Sequence, residues 1–416
     1  MNPFEQKHRN IDELIMDWDK MYPKPYDKNE VDPYTKTRVI LMNGTEFEAN
    51  WFLHQFSRNC ENDDLRRELA LLRRLEQQQQ KLLSALKPID ESILEHTIGY
   101  EQLAVDLTAH LAQREPDQYV KKALDFALLE DFDHLYRYAD LLEMDAGIKA
   151  EKLVGKYTEI MPGRPTISHH RYPKDDVKDA VNFRRADLQT KLAVNIITAA
   201  EQQTMNYYMN VCGFYCNDIG RRLYQEIGMI EEQHVTHYGC LLDPSATWLE
   251  NLVLHQYTEA YLYWSCAKTE PDNRIRRIWE DLFEQEKVHL ALASHLLEKM
   301  ENKDAASVIG AKEFPAPLTL TSNIGYVRDV LKGTVQHTAV RESYAHVDDL
   351  RPNSDFFRYQ RIVNNDTCNV ASHKVIEMYI DKNGKDYRFE TAPNPIPALR
   401  DRNDDNTSVG RVPGSV

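Results

Sequence analysis

Glu231 and His234 stand three residues apart in a stretch with helical spacing, and Glu201 lies 30 positions upstream of Glu231. Residues three apart share one face of a helix. Glu231 and His234 can therefore hold one metal ion, and Glu201 can reach it from a neighbouring helix. Glu201 falls on the apolar stripe of Val194, Ile197, Thr198, Met205 and Tyr208, where a carboxylate is costly unless it is paired or metal-bound. The pattern occurs twice more. Glu101 precedes Asp131 by the same 30 positions, with His134 three residues on; Glu259 precedes Glu286 by 27, with His289 three residues on. Seven residues after each His a Leu-Leu-acid tail begins: Leu141-Leu142-Glu143, Leu241-Leu242-Asp243 and Leu296-Leu297-Glu298. Gln102 and Gln202, Tyr138 and Tyr238, and the basic pairs Lys121-Lys122 and Arg221-Arg222 repeat at an offset of 100. These correspondences describe an internal repeat of three helical hairpins, each a Glu helix followed by a Glu/Asp-x-x-His helix.

The helices that must position these residues are Ser92 to Ala112 with Gln118 to Leu142, Leu188 to Val211 with Ile219 to Tyr238, and Trp248 to Ala267 with Arg274 to Met300. Thr247 and Glu250 form a capping box for the fifth of them. An earlier helix begins at Asn62 or Asp63 and runs to about Leu86, where Pro88 stops it. Asn43-Gly44 predicts a small β-hairpin over Arg38 to Ala49, and Asn383-Gly384 a second over Val375 to Glu390, which could pair with the first. Short helices are expected at Ile11 to Met21 and Asn323 to Leu331. From Pro393 the composition predicts disorder. The long connection from about Ala146 to Arg184 suits a crossover along a helical bundle. Residues 1–90 thus read as an N-terminal extension, 91–302 as a helical domain of three hairpins, and 303–416 as a C-terminal extension.

The chain has 416 residues, 42% of them hydrophobic and 28% charged, enough to bury a sizeable core. A net charge of −15 argues against a nucleic-acid surface. No apolar run approaches the ~18 residues that a membrane span needs, and the polar Met1 to Asn10 stretch carries no signal-peptide pattern. The six cysteines are too sparse for a disulfide framework, which points to a reducing, cytoplasmic setting.

Glu on one helix and Glu-x-x-His on the next, then both again, resembles the ferritin-like di-iron carboxylate family, which includes ferritins, rubrerythrins and the ribonucleotide reductase small subunit. The resemblance covers roughly Ser92 to Met300. With the two small β-hairpins read near the termini, the fold expected is mainly α, and the resemblance implies a ferritin-like helical bundle, here with one additional hairpin. It implies metal ligands at Glu201, Glu231, His234, Glu259, Glu286 and His289, with Glu101, Asp131 and His134 as an imperfect set. Glu231 and Glu286 resemble the family's bridging pair, and Glu201 and Glu259 its terminal carboxylates. Two iron ions, or a manganese–iron pair, are the implied cofactor, and oxygen-rich ligation with some imidazole suits both metals. The implied activity is that of an oxidoreductase that takes oxygen or peroxide, with an unidentified electron donor. The alternatives are a non-redox metal-binding or storage protein, and a scaffold whose helices support a homo-oligomer. A lone Glu-x-x-His is weak evidence for metal; three at matched depth, each with an upstream Glu, are stronger. His169-His170 reads as a surface pair, Cys212 and Cys216 as packing residues, and Tyr207, Tyr208, Tyr215, Trp248 and Trp264 as core. Which hairpins pair stays open. The second and third hold the complete Glu set across a short link of nine residues, Gly239 to Thr247. The first and second have the natural crossover. The Glu set favours the second with the third.

Overall fold

The computed structural model describes residues 1–4, 9–160, 170–364 and 369–388. The protein is mainly helical. In chain order the helices are α1 (Pro33–Arg58), α2 (Asp63–Ala85), α3 (Ile93–Arg114), α4 (Gln118–Ala146), α5 (Glu151–Val154), α6 (Leu188–Val211), α7 (Asp218–Gly239), α8 (Trp248–Thr269), α9 (Asn273–Glu301), α10 (Ala305–Ile309), α11 (Ile324–Thr334), α12 (Asp355–Val363) and α13 (Ala371–Asn383). The strands described are β1 (His337–Val340) and β2 (Ser343–His346), which pair antiparallel with His337 opposite His346 and Val340 opposite Ser343.

Local chemistry sets most of these boundaries. Asn62, Asp117, Asn217 and Asp272 accept hydrogen bonds from the first-turn amides of α2, α4, α7 and α9, which satisfies donors that have no intrahelical partner. Ser92 with Glu95 and Thr247 with Glu250 close full capping boxes on α3 and α8. The described residues of both expected β-hairpins hold helix instead of strand: Arg38 to Ala49 lies in α1, and 375–383 in α13. Asn43-Gly44 lies inside α1, where a side chain on Gly44 would stand 2.9 Å from Gln203 Oε1; the glycine permits a close helix approach. Asn383-Gly384 ends α13, with Gly384 at φ +80° as a left-handed stop. The one sheet among the described residues is at 337–346, and the expected pairing of the two terminal hairpins is absent there. The helix expected at Ile11 to Met21 shrinks to a 3-10 turn at Ile11–Leu14. The tail from Pro393 lies outside the described residues.

The chain divides into two compact units, and their boundaries differ from the three consecutive segments expected. Residues 1–91, 181–203 and 242–319 form the first unit, and residues 92–180, 204–241 and 320–416 the second. In the first, α1 packs on α2 and α8, α8 on α9, and α2 on α9. Buried polar anchors hold α1 there: Lys36 Nζ lies 3.1 Å from Glu91, and Arg38 Nη2 donates to the Thr269 carbonyl at 3.1 Å. In the second unit, α3 packs on α4, α4 on α7, and α13 on both α4 and α7. Fully buried Arg388 ties the end of α13 to Asp140, Glu143 and Glu151 at 2.6, 3.0 and 2.8 Å.

His110, near the end of α3, yields an acid-sensitivity prediction. Burial and the Arg114 guanidinium push it down to about 4 from an ordinary 6.5. Between those values the unfolded chain binds the extra proton, so stability is full above pH 6.5 and is lost as the pH falls towards 4. His110→Gln is expected to remove on the order of 2 kcal/mol of the stability difference between pH 7 and pH 5, read from urea melts at both. A parent and variant with parallel pH profiles would refute this.

Candidate metal centres

The first unit brings together Glu46 of α1, Glu76 of α2, Glu259 of α8 and Glu286 with His289 of α9, all 0% exposed. One oxygen each from Glu46, Glu76 and Glu259 lies within 4.8 Å of the others, and Glu76, Glu286 and His289 form a second such group. Glu76 belongs to both. His289 Nδ1 is 3.0 Å from Glu286 and 3.2 Å from Glu76. Gln256 donates to Glu76 at 3.1 Å and to Glu259 at 2.6 Å, and the Tyr263 hydroxyl donates to Glu46. Glu46 Oε2, Glu76 Oε2, Glu259 Oε1 and Glu286 Oε2 are buried without a hydrogen bond.

Electrostatics here is adverse for a metal-free site. Burial, then the charges of Glu76 and Glu286, push Glu46 well above the usual carboxyl range. Glu259 is raised likewise by burial and by its acidic neighbours. Glu286 is pushed up to about 7, chiefly by burial, and His289, despite burial, is held up to about 10 by Glu286 and Glu76. Buried carboxylates that crowd one another while leaving oxygens unbonded are what a divalent cation would relieve. The donor set fits: oxygen-rich with imidazole, as iron and manganese prefer.

The second unit assembles Glu101 of α3, Asp131 and His134 of α4, and Glu231 and His234 of α7, each at most 1% exposed. Ligand atoms of Glu101, His134 and Glu231 lie within 4.8 Å of one another. Glu231 faces both rings, at 2.9 Å from His134 Nδ1 and 3.3 Å from His234 Nδ1, and Asp131 is 3.4 Å from His234 Nδ1. The Tyr208 hydroxyl donates to Glu101. Although burial opposes it, the two histidines hold Glu231 well below the usual carboxylate range. Glu201 is buried in α6, within the first unit's stretch that ends at Gln203.

Among the described residues, then, Glu101, Asp131, His134, Glu231 and His234 meet in one unit, and Glu259, Glu286 and His289 in the other. The favoured pairing of the second and third hairpins is overturned: α8–α9 packs with α1–α2, a hairpin absent from the expected three. Glu46 and Glu76 are candidate ligands that the sequence reading missed, although Glu46 precedes Glu76 by the same 30 positions that separate Glu101 from Asp131 and Glu201 from Glu231. Gln79 stands three residues after Glu76, where the other hairpins carry His, and this hid the motif. Glu130 was also missed. It lies 2.8 Å from His234 Nε2 and pairs with buried Arg171. Against the effect of burial, Arg171 and His234 lower Glu130 to about 2. A carboxylate on the outer ring nitrogen fixes a histidine's tautomer and presents Nδ1 to the side where Glu231 and Asp131 stand. Glu130→Ala is therefore expected to weaken metal binding in the second unit by about 10–100-fold while binding in the first is unchanged, as measured by Mn(II) equilibrium dialysis. Uniform affinity in parent and variant would count against that role.

Of the other expectations, His170 is not simply exposed: its Nε2 lies 2.8 Å from Glu226. Cys212 is half-buried and Cys216 exposed, whereas Tyr208 is fully buried. Among the described residues no helix is long and apolar enough to cross a membrane. No family model, curated protein or solved structure matches the chain.

Proposed function

We propose that the chain is a carboxylate metalloprotein with a dimetal centre in each unit, iron or mixed manganese–iron, and that it acts as an oxidoreductase on oxygen or peroxide. The observation that carries this reading is the convergence of four buried glutamates and His289 in the first unit, with carboxylate oxygens that no hydrogen bond satisfies. Glu76 and Glu286 would hold both ions, with Glu46, Glu259 and His289 as terminal donors. In the second unit, Glu231, Glu101, Asp131, His134 and His234 would do the same. The 30-residue register gives Glu201 the place in its hairpin that Glu101 has in the preceding one. The arrangement supports the ferritin-like resemblance for both hairpin pairs. A bound metal pair would supply electrons and an acid site to an oxygen ligand. The chain's own residues do the rest. Tyr263 holds a proton against Glu46, and Tyr208 holds one against Glu101, which keeps each carboxylate oriented. Full burial of both ligand sets excludes bulk water.

The test is oxygen uptake. Protein loaded with Fe(II) under anaerobic conditions and then exposed to air is expected to consume oxygen and gain near-ultraviolet absorption. Glu76→Ala/Glu231→Ala should do neither above buffer. Fully loaded Fe(II) that survives in air would favour storage or a structural role instead.

A further inference from the structure

Each Glu helix carries a residue one turn before its glutamate, on the same face. These are Met42 on α1, Thr97 on α3, Ile197 on α6 and His255 on α8. An imidazole therefore appears at this register only in the unit whose α2 offers Gln79 instead of His. His255 is 7% exposed, and its Nε2 makes no hydrogen bond. That atom lies 3.7 Å from Glu259 Oε1, itself without a hydrogen bond. Two donors on one ion, each at about 2.1 Å, stand about 3 to 4 Å apart, so the spacing suits two ligands of a single cation.

The ring is held for that role from its other side. His255 Nδ1 is 3.2 Å from Glu48 Oε2, and Glu48 lies two residues beyond Glu46 on α1. A carboxylate on Nδ1 fixes the tautomer with its lone pair on Nε2, towards Glu259. Phe52 stacks on the imidazole with ring centroids 5.5 Å apart and planes 18° from parallel, which restricts its rotation. Gln79 offers the site no imidazole: its amide faces Glu286 and lies 3.5 Å from Gln285 Oε1.

We propose that His255 Nε2 is a metal ligand of the first unit's centre, supplying to the Glu46–Glu76–Glu259 group the nitrogen that Gln79 does not. The inference rests on the dimetal reading. It makes the two centres chemically unlike: the first takes its second imidazole from a Glu helix, and the second takes both from Asp/Glu-x-x-His helices.

The experiment uses the full chain carrying Glu231→Gln/His234→Gln to silence the second centre, with circular dichroism melts to confirm folding. Co(II) binding is followed by equilibrium dialysis. This background is expected to hold about two ions. Adding His255→Gln should weaken one of the two at least tenfold and leave the other unchanged. Restoring an imidazole from the opposite helix, Gln79→His, should recover most of that loss. Adding Glu76→Ala instead should remove both ions. If His255→Gln binds both ions with parental affinity while Glu76→Ala loses them, His255 is not a ligand and the dimetal reading stands. A lower melting temperature with parental affinity would likewise reduce His255 to an ion-pair partner of Glu48. If Glu76→Ala also keeps both ions, the dimetal reading itself fails, and this inference with it.

Discussion

Glu286→Ala is expected to empty the first unit's centre alone, and Glu231→Ala the second's alone, each removing roughly half of the bound metal. The two changes combined should take metal content to background. Glu286 and Glu231 each lie among ligand atoms of their own unit: Glu286 beside Glu76 and His289, Glu231 beside Glu101 and His134. A metal pair that loses a shared anion keeps two cations close together with less compensating charge. Companion variants sort the hairpins. Glu46→Ala should behave like Glu286→Ala, and Asp131→Ala like Glu231→Ala. Elemental analysis of protein purified with ample iron and manganese reads the outcome, with melting temperature beside it because an orphaned buried acid is itself costly. If Glu286→Ala emptied both units, or Glu46→Ala left metal content unchanged, the assignment of ligands to units would be wrong.

The second large effect has opposite signs with and without metal. Burial and the charges of Glu76, Glu286, Glu46 and Glu48 oppose ionisation of Glu259. Glu286, raised from 4.5 to about 7, holds its proton longer than in the unfolded chain. The folded state binds more protons across that interval, so metal-free stability falls as the pH rises from about 4.5 to 7. Any ionisation of these acids in the metal-free protein meets that repulsion. Glu259→Gln removes one of the crowded acids and keeps an acceptor for Gln256, so in chelator it should raise stability by about 1–3 kcal/mol. Metal reverses the ranking. Each bound ion should add about 3 kcal/mol at a hundredfold excess of Mn(II) over its Kd, and Glu259→Gln should lose most of the first unit's share of that gain while the second unit's share remains. Thermal melts with chelator and with Mn(II) decide it. A variant less stable than the parent in chelator would mean that the crowding is not what strains the site.

The helices of the two units were legible to different degrees, and the reasons are physical. α3, α4, α6, α7, α8 and α9 announce themselves through caps, turn prolines and helical spacing, and the structure places their ends within a few residues of the expected ones. α1 does not. Its residues from Tyr34 to Met42 are buried without interruption, so no polar face alternates with an apolar one and the period that marks an amphipathic helix is lost. Polar Lys36 and Arg38 are paired with distant residues that a sequence window cannot see, and Glu46 meets Tyr263 and the acids of other helices. Asn-Gly misled twice for one reason. The dipeptide reports glycine's freedom, and that freedom serves a hairpin turn, a close helix contact or a helix stop equally well. The candidate ligands of α3, α4, α7, α8 and α9 were readable because a metal site would fix residue type and spacing. Their partners were not, because pairing depends on which hairpins the chain folds back upon.

That folding-back has a consequence for how the protein is made. α1 and α2 leave the ribosome first, yet α8 and α9, which complete their unit, follow only after the whole of α3 to α7. More than two hundred residues separate the end of α2 from the end of α9. At 5–20 residues per second this is a wait of roughly 10–40 s. During that time Glu46 and Glu76 belong to a half-built site, and the apolar surface meant for α8 and α9 is uncovered. A nascent chain of this order depends on prompt release or on a chaperone's cover, and the first unit's acidic cluster cannot assemble until translation has passed His289.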